Sequence, residues 1–192
     1  LAGKCLPASE VGGDFFDYII DEDNKNIGVA VADVSGKRMQ GAMNAVMTNG
    51  VLHMAAREEN SQLPTDIIEK VNSILSTRMK QDTNVTMIFG FLNSEDQTFN
   101  FVNAGHHAHP ILVRNGAVEK LDHYGFPLGM KHPIEYQARK VQLQPGDLVV
   151  LMTDGIIEPI DEDGTMYADT DKLETLLSNL PNHVPLNGII DQ

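Results

Sequence analysis

Apolar, β-branched or aromatic runs in this chain meet an aspartate three times, and each time glycine or another small residue stands beside it. Asp14 lies in Val11-Gly12-Gly13-Asp14-Phe15-Phe16-Asp17. Asp33 ends Ile27-Gly28-Val29-Ala30-Val31-Ala32 and opens Val34-Ser35-Gly36-Lys37. Asp154 ends Leu148-Val149-Val150-Leu151-Met152-Thr153 and is followed by Gly155. A carboxylate where a buried strand surfaces is rigidly placed, yet its oxygens reach a solvent-filled cleft. For a single aspartate after a strand, a turn or cap is the ordinary role. Three of them point toward a hard divalent cation, which prefers oxygen ligands and keeps several waters. Spacing alone leaves these two readings even. Metal-assisted hydrolysis is the chemistry such a site would support.

The stretches between the aspartates constrain the architecture. Phe15 to Ile20 is strand-like, Asp21 to Asn26 is a polar turn and Ile27 to Ala32 is a second strand, so the first 35 residues predict a hairpin. From Gly41, Ala42, Met43, Ala45, Val46, Met47, Val51, Leu52, Met54 and Ala55 make a helix that is apolar around most of its circumference, and burial is expected. Leu63-Pro64-Thr65-Asp66 starts a second helix, with Ile67, Ile68, Val71, Ile74, Leu75 and Met79 at helical spacing. Strands are then predicted over Val85 to Leu92, Thr98 to Asn103, Pro110 to Arg114, Glu119 to Leu121 and Leu148 to Met152, with weak alternation over Glu135 to Val141. Asn115-Gly116 is a hairpin signal, and Thr170 to Leu180 reads as a last helix. Two helices between β segments, without β-α-β alternation, predict an α+β fold with stacked sheets and helices outside.

A chain of 192 residues with 42% hydrophobic and 21% charged content suits one globular domain. No apolar stretch reaches the roughly 18–20 residues of a membrane span, so no membrane insertion is expected. The formal charge of -13 argues against nucleic acid, which needs clustered positive charge, and against anionic lipid. A single cysteine, Cys5, fits a reducing, cytoplasmic setting and reads as a small apolar residue. The chain does not begin with Met, as expected of a segment cut from a longer protein.

The motifs around the aspartates occur in a characteristic order: Gly12-Gly13-Asp14-Phe15-Phe16-Asp17, Asp33-Val34-Ser35-Gly36-Lys37, Thr86-Met87, Asn103-Ala104-Gly105-His106, Pro127-Leu128-Gly129, Pro145-Gly146-Asp147 and Thr153-Asp154-Gly155. From about Pro7 to Leu176 the chain resembles the bacterial SpoIIE-type branch of the metal-dependent protein phosphatase 2C superfamily, in particular the stress-response phosphatases acting on anti-anti-sigma factors. The resemblance implies a β-sandwich of two antiparallel sheets flanked by helices, with two Mn²⁺ or Mg²⁺ ions at one end. By position, Asp14 would bind one metal, Asp33 would bridge both with the Val34 carbonyl as a further ligand, and Asp154 would bind the other. Gly12, Gly13, Gly36 and Gly155 would let the backbone turn tightly beside the ions. The implied reaction is hydrolysis of phosphoserine or phosphothreonine by a metal-activated water. Implied partners are a phosphorylated anti-anti-sigma-like protein, an upstream sensor or receiver domain and a homodimer mate, with the two helices relaying control.

Two departures from the family pattern stand out. Arg38 occupies a position where relatives carry glycine; it either contacts substrate phosphate or is a solvated residue at a helix start. The family continues to an Asp-Asp-x-Thr type motif, whereas Ile189-Ile190-Asp191-Gln192 looks like the start of the preceding helix, so C-terminal truncation is expected. Asp17 reads as a turn residue or one that orients a metal-bound water. His106, His107 and His109 crowd one loop without helical spacing and read as structural or exposed, although His106 could donate a proton to the leaving alkoxide. A catalytically impaired binding module of the same fold, and a hydrolase of small phosphorylated metabolites, are the rival readings.

Overall fold

A computed structural model describes residues 1–6, 12–20, 26–36, 39–57, 63–80, 82–130, 132–180 and 185–190. The chain divides into two compact units. One comprises Pro7–His106 and His123–Leu143, the other Leu1–Leu6, His107–Asp122 and Gln144–Gln192.

The first unit is built on a sheet of β1 (Phe15–Ile20), β2 (Asn26–Val34), β3 (Val85–Asn93), β4 (Thr98–Ala104) and β7 (Arg139–Gln142), adjacent in that order. Every neighbouring pair is antiparallel. The expected hairpin is present as β1 against β2; most of its polar turn, residues 21–25, lies outside the described residues. Alternation decides which side of the sheet each residue serves. Ala30, Ala32 and Val34 of β2 and Val85, Met87 and Phe89 of β3 join one buried cluster, so Val31, Asp33, Thr86 and Ile88 project from the opposite face.

Helices α1 (Met39–Ala56) and α2 (Pro64–Arg78) cover the first face. α2 begins as its sequence predicts. Leu63 is extended, as a residue before proline prefers to be. Pro64 needs no partner for a missing N–H, and Asp66 sits in the first turn, where the helix dipole favours an anion. Its Ile67, Ile68, Val71 and Leu75 are fully buried, each worth about 1.5–3 kcal/mol in apolar burial. α1 departs from expectation. Only Gly41, Ala45, Thr48, Leu52 and Ala55 are buried, while Met39, Met43, Val46 and Met54 lie exposed along the other side. A helix apolar all round has no preferred inner face in its own composition; small residues decide, because they let it settle close to the sheet.

The second unit holds a three-stranded sheet in the order β6 (Ala117–Lys120), β5 (Ile111–Arg114), β8 (Leu148–Val150). Asn115 and Gly116 both have positive φ, 51° and 78°, the signature of a type I′ hairpin turn. That turn pairs Arg114 with Ala117, so β6 starts directly after it and not at Glu119. β8 stops at Val150, short of the predicted Met152, because β5 begins at Ile111, its partner, and offers no further backbone groups. Likewise only the end of the Glu135 to Val141 run finds a partner, on β4. Ala108, Ile111, Val113 and Met152 pack with Leu177 of α4 (Lys172–Ser178). Arg114 grips Asp147 with Nε donating at 2.9 Å and a terminal nitrogen at 2.6 Å. α3 (Asp154–Ile157) and α5 (Leu186–Ile190) complete the described elements, with a single 3-10 turn at Tyr167–Asp169. Among the described residues no helix is long and apolar enough to cross a membrane.

Candidate metal centre

The end of the β1–β2 hairpin gathers the first predicted carboxylates. Phe15 pairs with Ala32, so the next residues along the two arms are Asp14 and Asp33. Asp33 in turn pairs with Thr86 on β3. Directly opposed residues share a sheet face, and here that face is the one turned away from α1 and α2. Asp33 and Thr86 therefore share that face on adjacent strands, and Asp14 leads into β1 next to them at the same sheet end. Both aspartates are half-buried.

The backbone around Asp33 is clamped from three sides. A Cβ on Gly13 would run into the carbonyl oxygen of Val34, so only glycine permits this approach of β1 to β2. Ser35 donates its hydroxyl to the Asn84 carbonyl at 2.8 Å and accepts the Asn84 N–H at 2.7 Å. Gly36 has φ +139° and rests against Gly41 in the first turn of α1, where a Cβ on Gly41 would lie 2.6 Å from the Gly36 oxygen. The end of β2 that carries Asp33 and Val34, with Ser35 and Gly36 after it, is thus in contact with the residues before β1, the chain before β3 and the start of α1.

Its donor chemistry fits a hard cation. Asp14, Asp33 and the Val34 carbonyl offer oxygen only, the set Mg²⁺ or Mn²⁺ prefers, and Gly13 places no side chain against the Val34 oxygen. Among the described residues no group of three or more His, Cys, Asp or Glu side chains is placed to hold a metal ion; carbonyl and water ligands would have to complete the shell. Asp154 belongs to the other unit. It is the first residue of α3, half-buried, with its carbonyl accepting the Glu158 N–H at 2.8 Å. At Gly155 the nearest protein atom to an added Cβ is Thr153 Oγ1 at 3.9 Å, an ordinary contact.

The remaining predicted residues fall elsewhere. Asp17 is neither a turn residue nor part of the sheet end that holds Asp14 and Asp33: it lies within β1, between Phe15 and Ile19, which both pack against the helix-side core. Its Oδ2 accepts hydrogen bonds from Asn49 at 2.7 Å and His53 at 2.8 Å, and its Oδ1 accepts the Tyr18 N–H at 2.7 Å. Burial pushes this carboxyl up, but the hydrogen bonds from His53, Asn49 and Tyr18 outweigh it and leave the group below its ordinary value. No motif in the sequence singled out Asn49 and His53, although they are a polar pair four apart on a predominantly apolar helix. His106 is buried, with Nδ1 2.9 Å from Thr86 Oγ1. His109 is buried as well, whereas His107 is exposed. Arg38 lies outside the described residues.

A family model described as Stage II sporulation protein E (SpoIIE) matches residues 23–192. The chain is 25% identical over 160 residues to phosphoserine phosphatase RsbU of Bacillus subtilis (strain 168), a match covering 83% of this chain and 47% of that protein. The chain thus spans about half the length of this curated relative. The solved RsbU and RsbW domains of a Mycobacterium tuberculosis protein are similar at a TM-score of 0.76 and 23% identity, over 90% of this chain and 47% of that one. The PP2C phosphatase domain of SpoIIE from Bacillus subtilis, solved with a fragment of its regulatory domain, gives a TM-score of 0.74 at 20% identity, over 90% of this chain and 49% of that one. The fold is therefore protein phosphatase 2C-like, an α+β arrangement of antiparallel sheets and helices.

Proposed function

Because the chain belongs to the SpoIIE family, we propose that it is a metal-dependent serine/threonine phosphoprotein phosphatase. The observation that carries this reading is that Asp14, just before β1, and Asp33, on β2, stand at one end of the sheet beside the Val34 carbonyl that Gly13 approaches. Asp14, Asp33 and the Val34 carbonyl would hold Mn²⁺ or Mg²⁺ there, and the resemblance gives Asp154 a ligand role as well. Bound there, such ions supply charge neutralisation for a phosphate ester and acidify a water. The chain's own contribution is placement. Strand pairing and the Ser35–Asn84 bonds keep the segment carrying Asp33 from relaxing, so the carboxylates need little reorganisation as negative charge moves on the phosphate.

The substrate we infer is phosphoserine or phosphothreonine on a small regulatory protein, an anti-anti-sigma factor by analogy with the phosphoserine phosphatase RsbU. Regulation would enter through α1. Its outer side presents Met39, Met43, Val46 and Met54 to solvent, and its first turn touches the segment carrying Asp33 through Gly41 and Gly36. An upstream sensor or receiver domain, or a second copy of the chain, would cover that stripe and shift the segment, a coupling of two sites through one element.

Hydrolysis of p-nitrophenyl phosphate and of a phosphoserine protein, with and without Mn²⁺, tests the reading. Mn²⁺-dependent turnover that disappears in Asp33→Ala and Asp154→Ala is the expected result. Absence of turnover in the parent chain, with a phosphoprotein still bound, would establish the alternative of a binding module. Turnover of free phosphoserine equal to that of phosphoprotein would favour a hydrolase of small metabolites.

A further inference from the structure

We propose that Thr86 and His106 form a positioning pair for Asp33, a role that rests on the metal-centre reading above. Thr86 is the cross-strand partner of Asp33 in the β2–β3 ladder. Cβ atoms of directly opposed residues lie about 4.5–5.5 Å apart, within hydroxyl-to-carboxylate reach. What the Thr86 hydroxyl does is decided behind it. His106 Nδ1 stands 2.9 Å from Thr86 Oγ1, and the imidazole is only 3% exposed.

The backbone from which this imidazole projects is held by Asn103 on both sides, and the ring itself is buried. Asn103 Oδ1 accepts the His106 N–H at 2.6 Å, and Asn103 Nδ2 donates to the His106 carbonyl at 2.9 Å. The second Nδ2 proton goes to the His123 carbonyl at 2.8 Å, so both amide protons are committed and the amide's orientation is determined. Asn103 is itself 1% exposed, where leaving any of these bonds unmade would be costly.

The consequence falls on Thr86. With the proton on Nδ1, His106 donates to Oγ1, and the hydroxyl proton turns toward the Asp33 side of the ladder. A threonine hydroxyl otherwise has three staggered proton positions and adapts to whatever is near. Here it becomes a fixed donor beside a carboxylate assigned to a metal. Hydrogen-bonded partners of carboxylate ligands orient them, and losing one ordinarily costs about 10- to 100-fold in metal affinity or activity.

The test is Mn²⁺ binding measured by calorimetry, together with thermal unfolding of the metal-free protein. Thr86→Val keeps the shape and strand preference but removes the hydroxyl. It should weaken Mn²⁺ binding about tenfold or more while the metal-free protein unfolds at nearly the parental temperature. Thr86→Ser should restore affinity to within a few-fold, which a packing role alone would not do. His106→Phe, which leaves β3 untouched, should reproduce the loss and decides the matter if Thr86→Val does not fold. Parental affinity in a folded Thr86→Val or His106→Phe protein overturns the pair while leaving the metal centre intact. Parental affinity in Asp33→Ala overturns the metal centre, and the pair with it.

Discussion

Asp17 on β1 and His53 on α1 meet side chain to side chain, carboxylate to Nε2 at 2.8 Å. Asn49, one turn earlier on the same helix, donates to the same oxygen at 2.7 Å. This polar clasp fastens α1 to the strand that begins beside Asp14. The first turn of α1 meanwhile rests on the segment carrying Asp33, at Gly36. One helix therefore touches the neighbourhood of both carboxylates, at different points along its length.

The clasp has a predictable pH signature. Because the folded Asp17 carboxyl lies below its ordinary value, the folded state binds its proton less readily than the unfolded chain does. Its stabilisation is complete above the unfolded carboxylate pKa of about 3.9 and is lost as pH falls through the lower folded value. Asp17→Asn should cost about 1–2 kcal/mol at neutral pH, in line with hydrogen bonds to a charged group that is partly exposed. It should also flatten the acid limb of the stability profile. Urea unfolding from pH 7 to pH 2 measures both; a parental acid limb in the variant would rule out the assigned linkage.

Gly13→Ala should damage the metal centre without touching a ligand. The added Cβ must displace the Val34 carbonyl, at an overpacking cost of about 1–3 kcal/mol, and the carbonyl moves away from its place beside Asp33. Mn²⁺ affinity should fall about tenfold or more. Gly155→Ala provides the contrast, since an added Cβ there makes only an ordinary contact. Equal affinity in the two variants would show that the Gly13 approach is irrelevant to binding.

The exposed stripe of α1 separates regulation from folding. Met43 is 66% exposed, so Met43→Asp should change stability by less than about 0.5 kcal/mol. Met47 packs against the helix-side core, and Met47→Asp should cost about 2 kcal/mol or more. In a full-length protein carrying an upstream regulatory domain, Met43→Asp should abolish control by that domain while Mn²⁺-dependent basal turnover persists. Unchanged control would remove α1 from the regulatory route.

Local chemistry made much of this molecule legible beforehand. Apolar, β-branched and aromatic runs bounded by turn residues marked β1 to β4, Pro64 and Asp66 marked the start of α2, and Asn115-Gly116 marked the hairpin joining β5 and β6. Strand parity even held the answer for Asp17. It lies three residues from Asp14, and residues an odd number apart along a strand face opposite ways. The motifs spanning Asp14, Asp33 and Asp154 carried the family resemblance, and the match over residues 23–192, which begins after Asp14, bears out the family.

Periodicity within an element records how often a side returns, but not which neighbour comes to lie against it. The apolar circumference of α1 therefore gave no notice that Met43 and Val46 would face solvent. β8 could not be bounded without knowing where β5 begins. Asn49 and His53 became partners of Asp17, and His106 a partner of Thr86, only when segments 20 to 36 residues apart were packed together. Residue type and spacing determined the elements, the hairpin turn and the family; long-range pairing alone decided which polar groups share a face, because that choice is settled by contacts absent until the chain has folded.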